Sequence, residues 1–113
     1  TAPTATTAPT ATTAATPTAN PKVAVSGSEG NYSSFGFSPI SITIKVGATV
    51  VWTNTTAAPH TVTSNTGTPM SFDSGMLNAH GGTFKFTFTT AGTYTYHCNI
   101  HPYMTGTIIV VAA

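Results

Sequence analysis

From Lys22 onward, apolar and polar positions alternate with a period of two, in short runs separated by Gly, Asn, Ser and Pro. In ISITIKV (40–46), Ile40, Ile42, Ile44 and Val46 fall on one side. After the turn-like GAT, VVWTN (50–54) puts Val50 and Trp52 on a common face, and TFKFTFT (83–89) does the same with Phe84, Phe86 and Phe88. HTVTS, TYTYHC and GTIIVVA supply further runs, and AGT (91–93) marks a tight turn before TYTYHC. A two-residue period is that of a strand with one buried face, and Val, Ile, Thr and aromatic residues suit its pleated surface. Seven to eight such strands with turns between them predict an all-β chain folded as a two-sheet, Greek-key β-sandwich. The shared faces of Phe84, Phe86, Phe88, Val50 and Trp52 are assigned to the core.

The pattern is absent from residues 1–21, TAPTATTAPTATTAATPTANP, where Pro3, Pro9, Pro17 and Pro21 interrupt a run of Thr and Ala. With almost nothing to bury, this arm cannot offset the entropy of ordering and is expected to be a disordered, partly extended tether. At ~3.1 Å per residue in the polyproline form it would reach ~65 Å. Thr/Pro-rich stalks of this kind are common in exported proteins and often O-glycosylated. Residues 22–113 then form one small domain, large enough to bury roughly 60–65% of its unfolded surface.

Charge narrows the partners. Lys22, Lys45, Lys85, Glu29 and Asp73 are the only formally charged side chains, and there is no arginine. Without a basic cluster, nucleic acid is an unsuitable partner. No apolar run approaches the ~20 residues that span a bilayer. A start at Thr1 rather than Met suggests that a leader or anchor was removed or precedes the sequence, so the expected location is periplasmic or extracellular, with a possible membrane or cell-wall tether through the arm. With two carboxylate side chains to protonate, the fold is also expected to tolerate acid.

The candidate chemistry lies in TYHCNIHPYM (95–104), which holds the chain's single cysteine. Cys98 cannot form an internal disulfide. Cys98, His101 and Met104 are spaced by three, but Pro102 lies between the last two and strand-like runs flank the segment, so a tight loop between strands fits better than a helix. His60, in AAPHTVTS, supplies a second imidazole 38 positions upstream of the cysteine. Zinc structural sites favour two or more cysteines, whereas a thioether is soft and suits copper; two imidazoles, one thiolate and a weak axial thioether are the donor set of a blue-copper electron-transfer site. Four protein donors leave no open position for a substrate, which favours electron transfer over catalysis. The expected metal ligands are therefore His60, Cys98, His101 and Met104, around one copper ion. His97, adjacent to Cys98, points to the opposite side of the strand and is read as structural or surface. His80 is read as solvated in a turn, and Met70 and Met76 as fillers.

AGTYTYHCNIHPYMTGTIIV, with VVWTNTTAAPHTV before it, resembles the cupredoxin family, and within it the amicyanin and plastocyanin groups, over about Phe37 to Val111. The short spacing from Cys98 through His101 to Met104 is amicyanin-like. The resemblance implies a Greek-key copper domain in which His60 and His101 bind through Nδ1, Cys98 through sulfur and Met104 axially. It implies a monomeric electron carrier whose redox donor and acceptor dock on an apolar patch around His101, formed by Pro59, Pro102, Tyr103, Ala57 and Ala58. Two departures stand out. Thr61 follows the first histidine where the relatives carry an asparagine that ties the two ligand segments together, a task left to Asn54 or Asn99. Ile100 replaces a proline, so its N–H is expected to donate a second hydrogen bond to the thiolate. The alternative function is copper storage or delivery with the same ligands. A multicopper oxidase or nitrite reductase fragment is disfavoured, because such enzymes need further histidine-rich copper sites.

Overall fold

A computed structural model of the chain describes residues 17, 18, 20–28, 31–101 and 103–112. The expected tether falls almost wholly outside the described residues, as does Pro102 of the expected docking patch. Eight strands follow in order: β1 (Lys22–Ser28), β2 (Asn31–Ser38), β3 (Ser41–Lys45), β4 (Thr49–Asn54), β5 (Thr63–Ser64), β6 (Thr83–Thr87), β7 (Gly92–His97) and β8 (Thr105–Val111). There is no helix among the described residues. One sheet runs β2-β1-β4-β6 and the other β3-β8-β7-β5. Most neighbours are antiparallel, but β1 runs parallel to β4 and β3 parallel to β8, because the chain crosses between sheets after β2 and again after β3. The expected all-β sandwich is the architecture found.

The two-residue period becomes burial. In β4, Val50 and Trp52 are fully buried, and in β8 so is Ile108. In β7, Tyr94 and Tyr96 face inward, and the next residue of the same parity is Cys98, also fully buried. Trp52 occupies the middle of the core, with Tyr96 edge-on at 5.6 Å between ring centroids and Phe72, Phe84 and Phe88 around it at 5.8, 5.6 and 6.3 Å. Each such aromatic removes 150–250 Å² from water, and the rings prefer these offset and edge-to-face contacts. Within the second sheet the Tyr96 ring of β7 lies across its β8 partner Gly106: a β-carbon on Gly106 would overlap the Tyr96 hydroxyl and ring.

The HTVTS run is only partly a strand. Thr63 and Ser64 pair with His97 and Tyr96, while His60 joins Leu77 through an isolated bridge. The reason is its neighbour: an irregular stretch, 65–82, folds back over this edge, and its backbone takes up the hydrogen bonds a longer ladder would have used. Ser74 N–H donates to Val62 O at 2.9 Å, and Leu77 N–H to His60 O at 2.7 Å. β7 ends at His97 where β8 begins at Thr105, paired in register. The 98–104 connection therefore closes one pole of the sandwich, beside the segment that follows β4.

Candidate metal centre

The connection is short because it joins adjacent antiparallel strands, and its backbone folds it tighter still. Cys98 N–H donates to Met104 O at 3.2 Å, and Met104 N–H donates to His101 O at 2.8 Å. The strand parity that buries Tyr94 and Tyr96 delivers the Cys98 side chain to the interior. His60 arrives from the other side, fixed by its two-way backbone bridge to Leu77. Cys98 Sγ lies 3.7 Å from His60 Nδ1 and 3.9 Å from His101 Nδ1, and the two Nδ1 atoms are 3.2 Å apart. All three donor atoms fit within 4.8 Å of one another. His60 and Cys98 are fully buried and His101 is half-buried. Met104, also buried, closes the same loop through its backbone.

Burial first, and the neighbouring His101 second, together lower the His60 pKa from 6.5 to about 4 and hold its imidazole neutral. A pocket that turns two imidazole lone pairs and a sulfur toward one point, with no cationic side chain among them, suits a soft metal cation. One thiolate with two imidazoles fits copper better than a structural zinc, which favours more cysteines. Acid acts on the same pocket: the small number of carboxylates does not protect a metal-free fold in which a buried imidazole must remain uncharged.

The surroundings of the three donors were less apparent from sequence. Phe35, in β2, packs its ring edge-on against His60 at 4.6 Å and tilted against His101 at 4.9 Å, forming an apolar wall shared by both imidazoles. A single phenylalanine in NYSSFGFS gives no sign of this; the hairpin of β1 and β2 carries it there. The asparagine that the relatives place after the first histidine has a substitute in Thr61 itself. Thr61 N–H donates to Cys98 Sγ at 3.3 Å, and Thr61 Oγ1 accepts the Asn99 N–H at 2.8 Å, so the hydroxyl ties the two segments. Asn54 instead braces the loop behind His60: its Nδ2 donates to Ala58 O at 2.8 Å and to Leu77 O at 3.2 Å, and its Oδ1 accepts from Thr56 N–H at 3.0 Å. The second donor expected from Ile100 does not appear: among the described residues, the backbone N–H that reaches the sulfur belongs to Thr61. Ile100 itself is exposed.

A β-sandwich that closes one pole over two imidazoles and a thiol has the architecture of a copper-binding cupredoxin. Residues 22–111 match the family described as copper binding proteins, plastocyanin/azurin family, and the chain belongs to that family. Amicyanin from Paracoccus denitrificans is 41% identical over 68 residues, which cover 59% of this chain and 52% of that protein. The matched stretch thus spans about half the length of that relative. Plastocyanin from Scenedesmus fuscus is 39% identical over 83 residues, covering 66% of this chain and 85% of the plastocyanin. Among solved structures, a purple cupredoxin from Nitrosopumilus maritimus superposes with a TM-score of 0.70 at 32% identity, over 81% of this chain and all of that one.

Proposed function

We propose that the protein carries single electrons on one copper ion held by His60 Nδ1, Cys98 Sγ and His101 Nδ1, with the Met104 thioether as a weak fourth ligand. The observation that carries this reading is the convergence of the three donor atoms within 4.8 Å in a pocket where His60 and Cys98 are sealed from water. Copper bound there supplies a reversible one-electron couple. The chain's own residues do the rest. The packed pole restrains the donors, Thr61 N–H supports the sulfur, and Phe35 excludes water from both imidazoles. With the inner donors occupied, such a site lacks the open position that metal catalysis requires, which supports a carrier over an enzyme.

The redox donor and acceptor dock, in this proposal, around half-exposed His101, with the exposed Pro59 and Tyr103 beside it. The Tyr103 ring lies 6.0 Å from that of His101. The protein works as an exported monomer, tethered by its Thr/Ala/Pro arm. No helix among the described residues is long and apolar enough to cross a membrane. The test adds Cu(II) to the purified protein. An intense blue thiolate-to-copper band, bleached by ascorbate and abolished by Cys98→Ser, is the expected result. A colourless complex in the unsubstituted protein would overturn the reading. Rapid surrender of the copper to a chelator would favour the storage or delivery alternative.

A further inference from the structure

His97 precedes Cys98 and therefore faces out of the sandwich, where the metal pocket makes no use of it. Around it the outer face carries two facing columns of polar side chains: Thr95, His97 and Asn99 on β7 and its continuation, and Thr61, Thr63 and Asn65 on β5 and its flanks, with Thr63 directly opposite His97. Hydrogen bonds join the columns throughout. Asn65 Nδ2 donates to Thr95 Oγ1 at 2.8 Å, Asn99 Nδ2 donates to Thr63 Oγ1 at 3.1 Å, and the Thr61 and Thr63 hydroxyls meet at 3.1 Å. The His97 ring joins the two ends: Nδ1 meets Asn65 Oδ1, and Nε2 meets Asn99 Oδ1 at 2.8 Å. Each amide's far end meets a threonine hydroxyl, which can both donate and accept.

Three of the six column members adjoin the interior chemistry. Thr61 follows His60, and His97 and Asn99 flank Cys98. From the ring, the bonded path runs through Asn99, whose N–H donates to Thr61 Oγ1, to Thr61, whose N–H donates to Cys98 Sγ. We infer that His97 is a positioning residue: from outside the pocket it locks the segment bearing His60 to the segment bearing Cys98, and so fixes the spacing of thiolate and imidazole. β5 is only two residues long, so its ladder alone holds these segments weakly, and the side-chain array supplies the missing cross-links. An imidazole suits the task because it is rigid, with two torsions, and bonds at both edges. In a carrier, such a lock restrains the donors when an electron arrives; that last consequence rests on the proposed copper function, whereas the lock itself does not.

The experiment uses His97→Leu, His97→Gln, Asn65→Ala and the His97→Leu/Asn65→Ala double variant. Amide hydrogen exchange is read first on the metal-free protein. His97→Leu is expected to speed exchange of the Asn99 and Thr61 amides by about tenfold while the Trp52 amide in the opposite sheet is unchanged. His97→Gln, able to bond one partner, should fall between, and Asn65→Ala should add little once His97 is gone, since both act through one array. In the copper-loaded protein, the thiolate band and the reduction potential should shift in the same order. Unchanged Asn99 and Thr61 exchange, or fully additive effects of Asn65 and His97, would overturn the inference. If His97→Leu fails to fold, His97→Gln and Asn65→Ala decide the matter. Failure of the unsubstituted protein to turn blue would overturn the copper reading alone, with exchange still deciding the lock.

Discussion

Asn54 offers a quantitative test of how the pole is built. It is fully buried at the end of β4, and its side chain serves five bonds. Removing it in Asn54→Ala leaves different deficits at different partners. The carbonyls of Ala58, Leu77 and Asn78 keep second donors, from Thr56 Oγ1, His60 N–H and Gly82 N–H respectively, so each loses only the net worth of one bond, about 0.5–1 kcal/mol. Thr56 N–H keeps no acceptor among the described bonds, and a buried, unsatisfied donor costs about 1–3 kcal/mol. The total is about 2.5–6 kcal/mol, a large share of the ~5–15 kcal/mol that holds a domain of this kind together. Urea unfolding of the metal-free protein measures it. A loss below about 1 kcal/mol would show that water or a shifted loop replaces these bonds and that Asn54 is not the brace. Asn54→Asp sharpens the test. Its ionised carboxylate keeps the acceptor for Thr56 but turns an oxygen toward three carbonyls, so this variant's deficit against the unsubstituted protein should be larger at pH 7 than at pH 4, where a proton restores a donor.

Three further outcomes are expected. Gly106→Ala should cost about 1–3 kcal/mol in thermal or urea unfolding, because the new methyl meets the Tyr96 hydroxyl end and that ring is held by Phe37 at 4.7 Å and Trp52 at 5.6 Å; a neutral effect would mean that the Tyr96 ring can shift aside there. Burial raises the Tyr96 pKa from 10.0 to about 12, so its contribution is fully present below pH 10 and lost as the pH rises toward 12, by about 2.7 kcal/mol at 1.36 kcal/mol per unit; Tyr96→Phe should flatten that part of the stability profile, and an unchanged alkaline slope would refute the assignment. The rate of electron exchange with a partner should vary little between low and high ionic strength, since two acidic and three basic side chains offer little to screen; a steep fall would mean that charge, and not the apolar surface around His101, guides docking.

The parts of the molecule legible in the sequence are those whose signal is local. ISITIKV, VVWTN, TYTYHC and GTIIVVA carry their period of two within themselves, and each became a strand whose alternate residues are buried. The three donors brought together were legible for a different reason: a lone thiol near two imidazoles is rare enough in residue type to imply its own chemistry. β1 and β2 were harder to read, because KVAVSGS and NYSSFGFS dilute the same alternation with serine and glycine, and their hairpin is settled by pairing with each other and with β4. β5 was over-read, because HTVTS has the pattern of a strand but lies where a neighbouring irregular segment competes for its hydrogen bonds.

What eluded the sequence is the support behind the donors, and there is a physical reason. Phe35 lies 25 positions before His60 and 66 before His101, yet its ring touches both, and nothing in its own flanking residues distinguishes it from a core phenylalanine. Thr61 seemed a loss when set against the asparagine of the relatives, because a type-by-type comparison registers the missing amide and not the hydroxyl that the same backbone position brings within 2.8 Å of Asn99 N–H. Donor identity depends on electronic character, which a residue carries wherever it goes. Donor placement depends on pairs such as Thr61 with Asn99, which exist only once two distant segments lie side by side. Of the two thiolate bonds open to the chain, the one from the Thr61 N–H forms, its position fixed from the other strand, whereas the second, expected from Ile100, does not appear among the described residues: a donor available in composition still has to be aimed by the fold.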